Sequence, residues 1–443
     1  MCQRLVLAIP IVLLPNSLHI PIDTGLPAVN VANLLLLVVV LTLAMSPRPA
    51  GLPAPGRGTL TAPLLLLYLS LLTGLVIAVA TRPGNLLADL TSLKDFMFYP
   101  LLYFVYRRCR QDLAGTRQLI ALMLVVAVLA ALESVWEGLA RDSFSSFDDS
   151  KRIAGPFGGS RASNRAGVFF AMFLPLLVAF SLFLRGKRVW RLVAAAGIVV
   201  LVAAIMVTFS RQSYLIAVVT TLLLVLRRHL LLAGLLAFAA IPAISLLPEG
   251  VTQRVVETQQ VNEIGEAQLD VSTASRFDIW EGAMHMLADH PAGVGFGRFP
   301  SYIGSYTGYE GYDAHNMYVL MLAECGPLGL AAMLWLIWRM LRLAMRLRRS
   351  VADGDSEGQA LSLGFALSVV AMAMGNLYGT AFNEGLVMAN FWILCGLVEH
   401  YATLKHHQGT VPGVAPSDLA NAIPSRFPLA THIAPGLYRP QMK

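Results

Sequence analysis

Long runs of apolar residues, separated by short clusters of polar and charged residues, form the dominant pattern along the chain. A membrane-spanning helix needs about 20 predominantly apolar residues, and runs of this length recur along most of the sequence. Because the runs do not alternate with period two, they predict helices rather than barrel strands. We predict an all-α polytopic membrane protein with about 12 transmembrane helices, at approximately 4–21, 28–46, 60–80, 91–107, 117–137, 165–184, 190–208, 212–227, 229–247, 315–340, 359–378 and 384–403.

Three polar segments divide this apolar pattern into domains. They are a loop at about 138–164, a segment at 248–314 that is far longer than an ordinary connection, and a proline-rich tail at 405–443 that we expect to be disordered. Residues 1–247 thus carry predicted helices one to nine, and residues 315–404 carry helices ten to twelve. Within the long segment, STASRFDIWEGAMHMLADH predicts a helix capped by Ser272 or Thr273.

The composition excludes several classes of protein. Of the 443 residues, 56% are hydrophobic and only 13% are charged, with a mean hydropathy of +0.64, whereas soluble domains carry about 25% charged residues. A cytosolic enzyme, a nucleic-acid-binding module and a disordered protein are therefore excluded, and membrane lipids are expected partners. The four cysteines lie in or beside apolar runs without C-x-x-C spacing, so neither a disulfide framework nor a zinc site is predicted.

The distribution of the net charge of +7 predicts the orientation. Most of the 33 lysine and arginine residues fall in alternate connections, and the positive-inside rule makes that side, with both termini, cytoplasmic. Arg211 lies on the other side, in the short turn TFSRQS at 208–213. A basic residue on the disfavoured side is a candidate for function, although an arginine that only marks a helix end is the alternative.

Four more arginines fall on the same non-cytoplasmic side. Arg276 stands four residues before Trp280, so a packing or cation–π role stays open for it. Arg152, Arg161 and Arg165 flank the glycine-rich stretch GPFGGSRASNRAG, in which Asn164 could cap the following helix. Exposed backbone N–H groups in such a stretch are compatible with phosphate binding, and a solvated loop is the alternative.

His315 is the best candidate for a catalytic base. It opens the predicted helix of DAHNMYVLMLAECGPLGL, directly after the long polar segment, and a helix N-terminus disfavours the imidazolium form. Glu324, further along that helix, is an intramembrane carboxylate that is either functional or paired with a basic or hydroxyl neighbour. His285 and His290 lack metal-ligand spacing and a nearby carboxylate motif, so no metal site is predicted.

Five stretches of this sequence resemble the bacterial O-antigen ligase and polymerase superfamily, of the glycosyltransferase C type. The run from His315-Asn316 to Glu324-x-Gly326-x-x-Gly329 is similar to its signature region, and HPAGVGFGRF to its glycine stretch. SRFDIW, FSRQSYL and GSRASNRAGVFFAMFLPL are similar to three further motifs of the family. The motifs occur in the family's order over about residues 150–330.

The resemblance implies a reaction, its partners and its site residues. A ligase of this family takes O-antigen from undecaprenyl diphosphate and passes it to a sugar hydroxyl of the lipid A core, at the periplasmic face of the inner membrane, in lipopolysaccharide biosynthesis. The family's two essential arginines fall on Arg211 and Arg276, and its essential histidine on His315. Segment 248–314 would then be a periplasmic lid over the sugars.

These residue types suit that chemistry. Arginine makes bidentate contacts to phosphate and can stabilise a diphosphate leaving group, while His315 would accept the proton of the attacking hydroxyl, with inversion at the anomeric carbon. Arg152, Arg161, Asn164, Arg165 and Asn316 are further possible substrate contacts. Because the paired arginines would take the place of a metal at the diphosphate, we predict an enzyme that needs no metal and no cofactor.

Three other functions stay open at this point. An O-antigen polymerase would use the same donor, and a protein O-oligosaccharyltransferase would pass the glycan to protein. A small-molecule transporter is the alternative from a different class, but transporters place ionisable residues near the midplane of several helices, and here the candidate residues cluster at one face.

Overall fold

The computed structural model describes residues 2–19, 31–45, 52–54, 56–231, 234–235, 238, 247–256, 259–261, 267–269 and 271–410. Most of the ninth predicted span, 229–247, and the tail beyond residue 410 lie outside the described residues. The last helix nevertheless runs to Thr410, past the predicted start of the disordered tail at 405.

The described residues are overwhelmingly helical. The helices are α1 (Cys2–Leu13), α2 (Val31–Met45), α3 (Thr61–Thr81), α4 (Leu86–Phe98), α5 (Leu101–Arg107), α6 (Leu113–Ala140), α7 (Ser163–Phe183), α8 (Arg188–Val207), α9 (Arg211–Arg228), α10 (Glu249–Val256), α11 (Val271–Asp289), α12 (Phe299–Ile303), α13 (Met317–Ser350), α14 (Ser356–Gly375) and α15 (Gly385–Thr410). Two three-residue strands, β1 (Gln259–Val261) and β2 (Ala267–Leu269), pair antiparallel between α10 and α11.

Seven helices of the described residues are long and apolar enough to cross a membrane, namely α3, α6, α7, α8, α13, α14 and α15. They coincide with seven of the predicted spans. An all-helical multi-pass membrane fold is therefore supported, whereas the predicted number of spans is not.

The helices at the other predicted spans differ from these seven in length, charge or continuity. Helices α1 and α2 contain only 12 and 15 residues, and α9 contains 18 residues with arginine at both ends. The prediction of one continuous span at 91–107 is wrong, because the chain forms α4 and α5 on either side of Tyr99 and Pro100. Tyr99 and Pro100 keep helical backbone angles, but Pro100 has no N–H group to donate to the carbonyl of Phe96, so the helical hydrogen bonds are interrupted there.

Helix α7 is the centre of the bundle. All its residues from Ala166 to Ala179 are buried, and it packs against α8, α9 and α14. The contact with α14 is close, because a Cβ atom at Gly364 would lie 2.8 Å from the Cα atom of Leu176. A helix apolar on every side is expected at such a central position.

Helix α13 is broken near its beginning. Gly326 has a φ of 65° and a non-helical ψ, and Pro327 has no N–H group to donate to the carbonyl of Ala323. A second segment replaces the missing donors: the N–H of Val294 bonds that carbonyl at 2.8 Å, and the N–H of Gly295 bonds the Glu324 carbonyl at 3.0 Å. The segment 290–299, here called the glycine loop, thus satisfies the carbonyl groups that the break exposes.

The glycine loop is also held against α3 and α4. The N–H of Phe296 donates to the Gly74 carbonyl of α3 at 2.9 Å. The guanidinium of Arg298 forms two bonds, of 2.8 and 2.5 Å, to the carboxylate of Asp89 in α4. This guanidinium holds the pKa of Asp89 below its usual range. The loop therefore fastens three helices together.

The side chain of Glu324 has a structural role in this arrangement. Its carboxylate is 6% exposed and accepts the N–H of Phe299 at 3.1 Å. The expected basic or hydroxyl partner is wrong, because the carboxylate is bonded to the backbone of the glycine loop.

The two ends of the bundle differ in charge. At one end, called the basic end, the connections at 107–117, 185–191 and 339–355 bring together ion pairs such as Arg117–Glu357 at 2.6 Å and Lys405–Asp355 at 2.6 Å. At the opposite end, called the site end, lie the loop 141–162, the turn 208–210 and the loop 376–384. This difference in charge between the two ends agrees with the concentration of lysine and arginine in alternate connections of the sequence.

We predict that Gly295→Ala lowers the free energy of unfolding by about 3 kcal/mol, since Gly295 has a φ of 101° and a Cβ atom there would lie 2.5 Å from the backbone nitrogen of Ala78. Thermal unfolding in detergent micelles measures the effect. Gly297→Ala is the matched control: its φ is 72° but nothing lies within 4 Å of the added atom, so it should cost only about 1 kcal/mol. Equal losses in the two variants would contradict the close packing of the loop.

Candidate functional site

Arg211 follows a tight, strained turn at the site end. Only three residues, Thr208 to Ser210, separate α8 from α9, and Phe209 has a φ of 50°. Phe209 is only 1% exposed and packs edge-on against Phe147 with ring centroids 5.1 Å apart. Burial of this ring holds the strained backbone, so Arg211 begins α9 at a fixed position.

The loop 141–162 packs onto this turn through Arg152. The guanidinium donates to the Thr208 carbonyl at 3.3 Å and to the side-chain oxygen of Asn164 at 2.6 Å. The expectation that Asn164 caps the following helix is wrong, because that helix begins at Ser163 with Ala162 at the N-cap. Asn164 instead orients Arg152.

Three guanidinium groups lie near one another here. Burial, followed by the positive charges of Arg254 and Arg211, lowers the pKa of Arg152. Arg254 lies in α10, with its guanidinium 4.5 Å from the ring centroid of Phe147. Sequence analysis missed Arg254, because no motif marks it in a polar helix. Such a concentration of guanidinium groups favours an anion.

His315 lies in a loop and does not open the helix as expected. It has a φ of 48°, and α13 begins at Met317. The side-chain oxygen of Asn316 caps the helix by accepting the N–H groups of Tyr318 and Val319 at 2.9 and 3.2 Å. Asn316 thus positions His315, and its amide oxygen is occupied by the helix.

The pKa of His315 is lowered from its usual value, and the causes differ from the expected one. Burial of the half-exposed ring is the largest cause, the positive charge of Arg276 adds to it, and Asp313 opposes it. The predicted neutral imidazole near pH 7 is thus supported, but by burial and by Arg276 rather than by a helix terminus.

Arg276 contacts Tyr378, which sequence analysis missed, and its positive charge acts on His315. The guanidinium of Arg276 lies 6.0 Å from the Tyr378 ring centroid. Trp280 also packs against Tyr378, with ring centroids 5.6 Å apart. The indole N–H of Trp280 donates to the carbonyl of Ala314, next to His315, at 2.8 Å. The cation–π interpretation of Arg276 therefore holds for Tyr378 rather than for Trp280.

The expected caps Ser272 and Thr273 lie inside α11, which begins at Val271.

The end of α14 and the loop 376–384 that follows it join the Arg211 region to the His315 region. Gln212, next to Arg211, donates to the carbonyls of Met374 and Gly375 at the end of α14, at 3.0 and 2.7 Å. In the loop, the carbonyls of Asn376 and Gly379 accept the N–H of Met317 at 2.9 and 3.2 Å. The beginnings of α9 and α13 are therefore both bound to this part of the chain at the site end.

Two carboxylates complete the cluster. Glu384 forms an ion pair of 2.9 Å with Arg165, and burial raises its pKa, with Asp313 adding to the rise and Arg165 opposing it. Asp313 accepts the hydroxyl of Thr380 at 3.3 Å. Arg161, in contrast, lies exposed in the short turn Ser160–Ala162. The cluster thus contains several guanidinium groups on one side and the half-buried imidazole of His315 on the other.

No group of three or more His, Cys, Asp or Glu residues that could hold a metal is found in the described part of the chain. Metal independence stays a prediction.

Comparison with known proteins bears directly on this cluster. Residues 196–334 match the family model described as O-antigen ligase. The match covers less than half of the chain, so the chain is similar to this family over that segment. The family is of the membrane glycosyltransferase type, and the matched segment includes Arg211, Arg276, His315 and the glycine loop. No curated protein matches the sequence.

The electrostatic environment of His315 gives a testable prediction. In ¹⁵N-histidine NMR titrations of the detergent-solubilised chain, assigned with His315→Gln, we expect His315 to ionise only below the usual histidine pKa of about 6.5. Arg276→Gln removes a positive charge and should raise that pKa, whereas Asp313→Asn should lower it further. A wild-type pKa at or above the ordinary value, or no response to Arg276→Gln, would contradict this account.

Proposed function

We propose that the chain is an O-antigen ligase, which transfers a glycan from undecaprenyl diphosphate to a sugar hydroxyl of the lipid A core. The observation that carries the proposal is that Arg276 contacts Tyr378 and acts on His315, while the end of α14 just before Tyr378 binds Gln212, the neighbour of Arg211. The family match over 196–334 covers all three residues.

The proposed site faces the periplasm. The basic end carries most of the lysine and arginine residues outside the apolar helices, and the positive-inside rule assigns such an end to the cytoplasm. The opposite site end would then face the periplasm of a bacterial inner membrane, with both termini cytoplasmic. The periplasm supplies no nucleotide, so a donor used there must carry its own leaving group.

The proposed reaction is a single inverting displacement. His315 accepts the proton of the acceptor hydroxyl while the hydroxyl oxygen forms a bond to the anomeric carbon of the donor. The bond from that carbon to the phosphate oxygen breaks, and its electron pair leaves with undecaprenyl diphosphate. A neutral imidazole is the form that such a base requires, and the lowered pKa of His315 supplies it near pH 7.

The arginines would stabilise the leaving diphosphate. The positive charges of Arg254 and, more weakly, Arg211 act on Arg152, whereas Asp149, 3.9 Å from its guanidinium, offsets them in part. An anion bound near these guanidinium groups would relieve the remaining repulsion. Arg276 lies on the His315 side and would contact the same diphosphate near the breaking bond. Arg165 is paired with Glu384 and would contact substrate only by leaving that pair, and exposed Arg161 would contact the outer sugars.

The segment 248–314 would close over the sugars as a lid. It contributes Arg254 through α10 and Arg276 through α11, and its glycine loop is bonded to α3 and α13. A cover fixed at one side by the glycine loop is suited to a long polymeric substrate that must enter from the side.

We expect Ala substitution of His315, Arg211 or Arg276 to reduce glycan transfer by at least about 10²-fold, because general-base help contributes about 10²–10⁴-fold and one stabilising donor about 10²–10³-fold. Transfer from lipid-linked donor to lipid A core is measured with purified protein. Arg188→Ala, an exposed arginine at the basic end, is the control and should retain full activity.

Two results would contradict that mechanism. One is transfer that survives in all three variants while thermal unfolding shows that they are folded. The other is wild-type transfer that stops when a chelator is added, since the proposed chemistry depends on arginines rather than on a metal.

The lipopolysaccharide profile of a deletion strain separates a ligase from its alternatives. A ligase predicts loss of polymer from the lipid A core with accumulation on the polyprenyl carrier. Core capped by a single repeat would instead indicate an O-antigen polymerase. Glycoprotein loss with normal lipopolysaccharide would indicate a protein O-oligosaccharyltransferase, and an unchanged profile would point to a transporter.

A further inference from the structure

A large cavity lies at the basic end, far from the proposed catalytic cluster. Its volume is about 830 Å³, and the residues along α13 that line it include Trp338, Arg339, Arg342, Arg346 and Arg349. Arg57, before α3, and His406, in α15, line the other sides. Five arginines therefore surround one space that the glycan-transfer mechanism does not use.

The spacing of the α13 arginines places them along one stripe of the helix. Steps of three and four residues, as from Arg339 to Arg342, Arg346 and Arg349, repeat one helical face. Helix α13 has 34 residues, or about 51 Å along its path, against a hydrocarbon core of about 30 Å. If its first turn lies at one boundary of the membrane, this stripe lies at the level of the opposite headgroups.

The positive charge in the cavity exceeds the carboxylate charge that faces it. Glu399, 2% exposed, is shared by Arg346 at 3.3 Å and Arg107 at 3.4 Å. Arg339 donates to the backbone carbonyl of Thr59 at 3.0 Å. In the described part of the chain, no carboxylate forms an ion pair with Arg57, Arg339, Arg342 or Arg349. An anion in the cavity would supply the missing negative charge.

One wall of the cavity is apolar and continues into the lipid-facing surface. Trp338 and Met345 are 44% and 46% exposed, and Leu334, one turn before Trp338, is 50% exposed. The guanidinium of Arg342 lies 4.3 Å from the Trp338 ring centroid, so the boundary between charged and apolar walls is sharp. A small water-soluble anion would not contact this apolar wall. An amphiphile would place its charged group among the arginines and its apolar part against Trp338 and Leu334.

We propose that this cavity binds the phosphate headgroup of an anionic phospholipid, with its acyl chains along Leu334 and Trp338. Guanidinium groups form charge-assisted bonds to phosphate oxygens, and basic pockets at the ends of membrane helices are suited to such headgroups. Occupancy would bridge α13, the segment before α3, and α15. The site is independent of the glycan-transfer reaction.

Native mass spectrometry of the full-length chain in detergent, titrated with dioleoyl phosphatidylglycerol, tests the proposal. Arg342→Gln combined with Arg349→Gln removes two charges without touching the Glu399 ion pairs. We expect phosphatidylglycerol binding to weaken by about tenfold to thirtyfold. Dioleoyl phosphatidylcholine, which has no net charge, should bind the wild-type chain no better than it binds the variant.

A matched control removes the same charge from the same end: Arg188→Gln combined with Arg227→Gln, both exposed outside the cavity, should leave phosphatidylglycerol binding unchanged. Equal losses in the two double variants, or no loss in the cavity variant, would overturn the proposal. Competition by inorganic phosphate at concentrations comparable to the lipid would also overturn it, since the cavity would then bind a soluble anion.

Discussion

Backbone N–H and C=O groups inside a membrane have no water to bond, so a break in a spanning helix has to be repaired by another part of the chain. Here the break is at Gly326 and Pro327 of α13, and the glycine loop repairs it through the N–H groups of Val294 and Gly295. Because this loop follows α11 and precedes His315, the repair also fixes where Arg276 and His315 lie. The geometry of the candidate site thus depends on the break in α13 and on the glycine loop, neither of which contributes a candidate catalytic or substrate-binding residue.

Backbone strain is concentrated beside the candidate residues. In the described part of the chain, only three residues other than glycine have a positive φ, and two of them are His315 itself and Phe209, near Arg211. Such conformations cost of order 1–3 kcal/mol each and persist only where packing holds them. The buried ring of Phe209 and the Asn316 cap provide that packing. The strain fits a site whose side chains must be held in place before a flexible glycan arrives.

Much of this arrangement follows from local sequence, and the rest depends on contacts between distant segments. The apolar runs predict the long helices, and the rarity of arginine on one side singles out Arg211 and Arg276. Pro100 and Asn316 are local signals too, since proline interrupts a helix and asparagine caps one, and they account for the split of the span at 91–107 and for the helix that begins after His315. Arg254, Tyr378 and Glu384 could not have been found, because the loop 376–384 reaches Arg276 and Arg165 only through tertiary packing.

The central claim is that the diphosphate of a lipid-linked glycan lies at the site end, between the arginines and His315. An electron cryo-microscopy map of the chain with a non-hydrolysable undecaprenyl diphosphate sugar tests it most directly. The account predicts density for the diphosphate in contact with the guanidinium groups of Arg211 and Arg276, with the anomeric carbon facing the imidazole of His315. Diphosphate density elsewhere, such as in the cavity of the basic end, would contradict it.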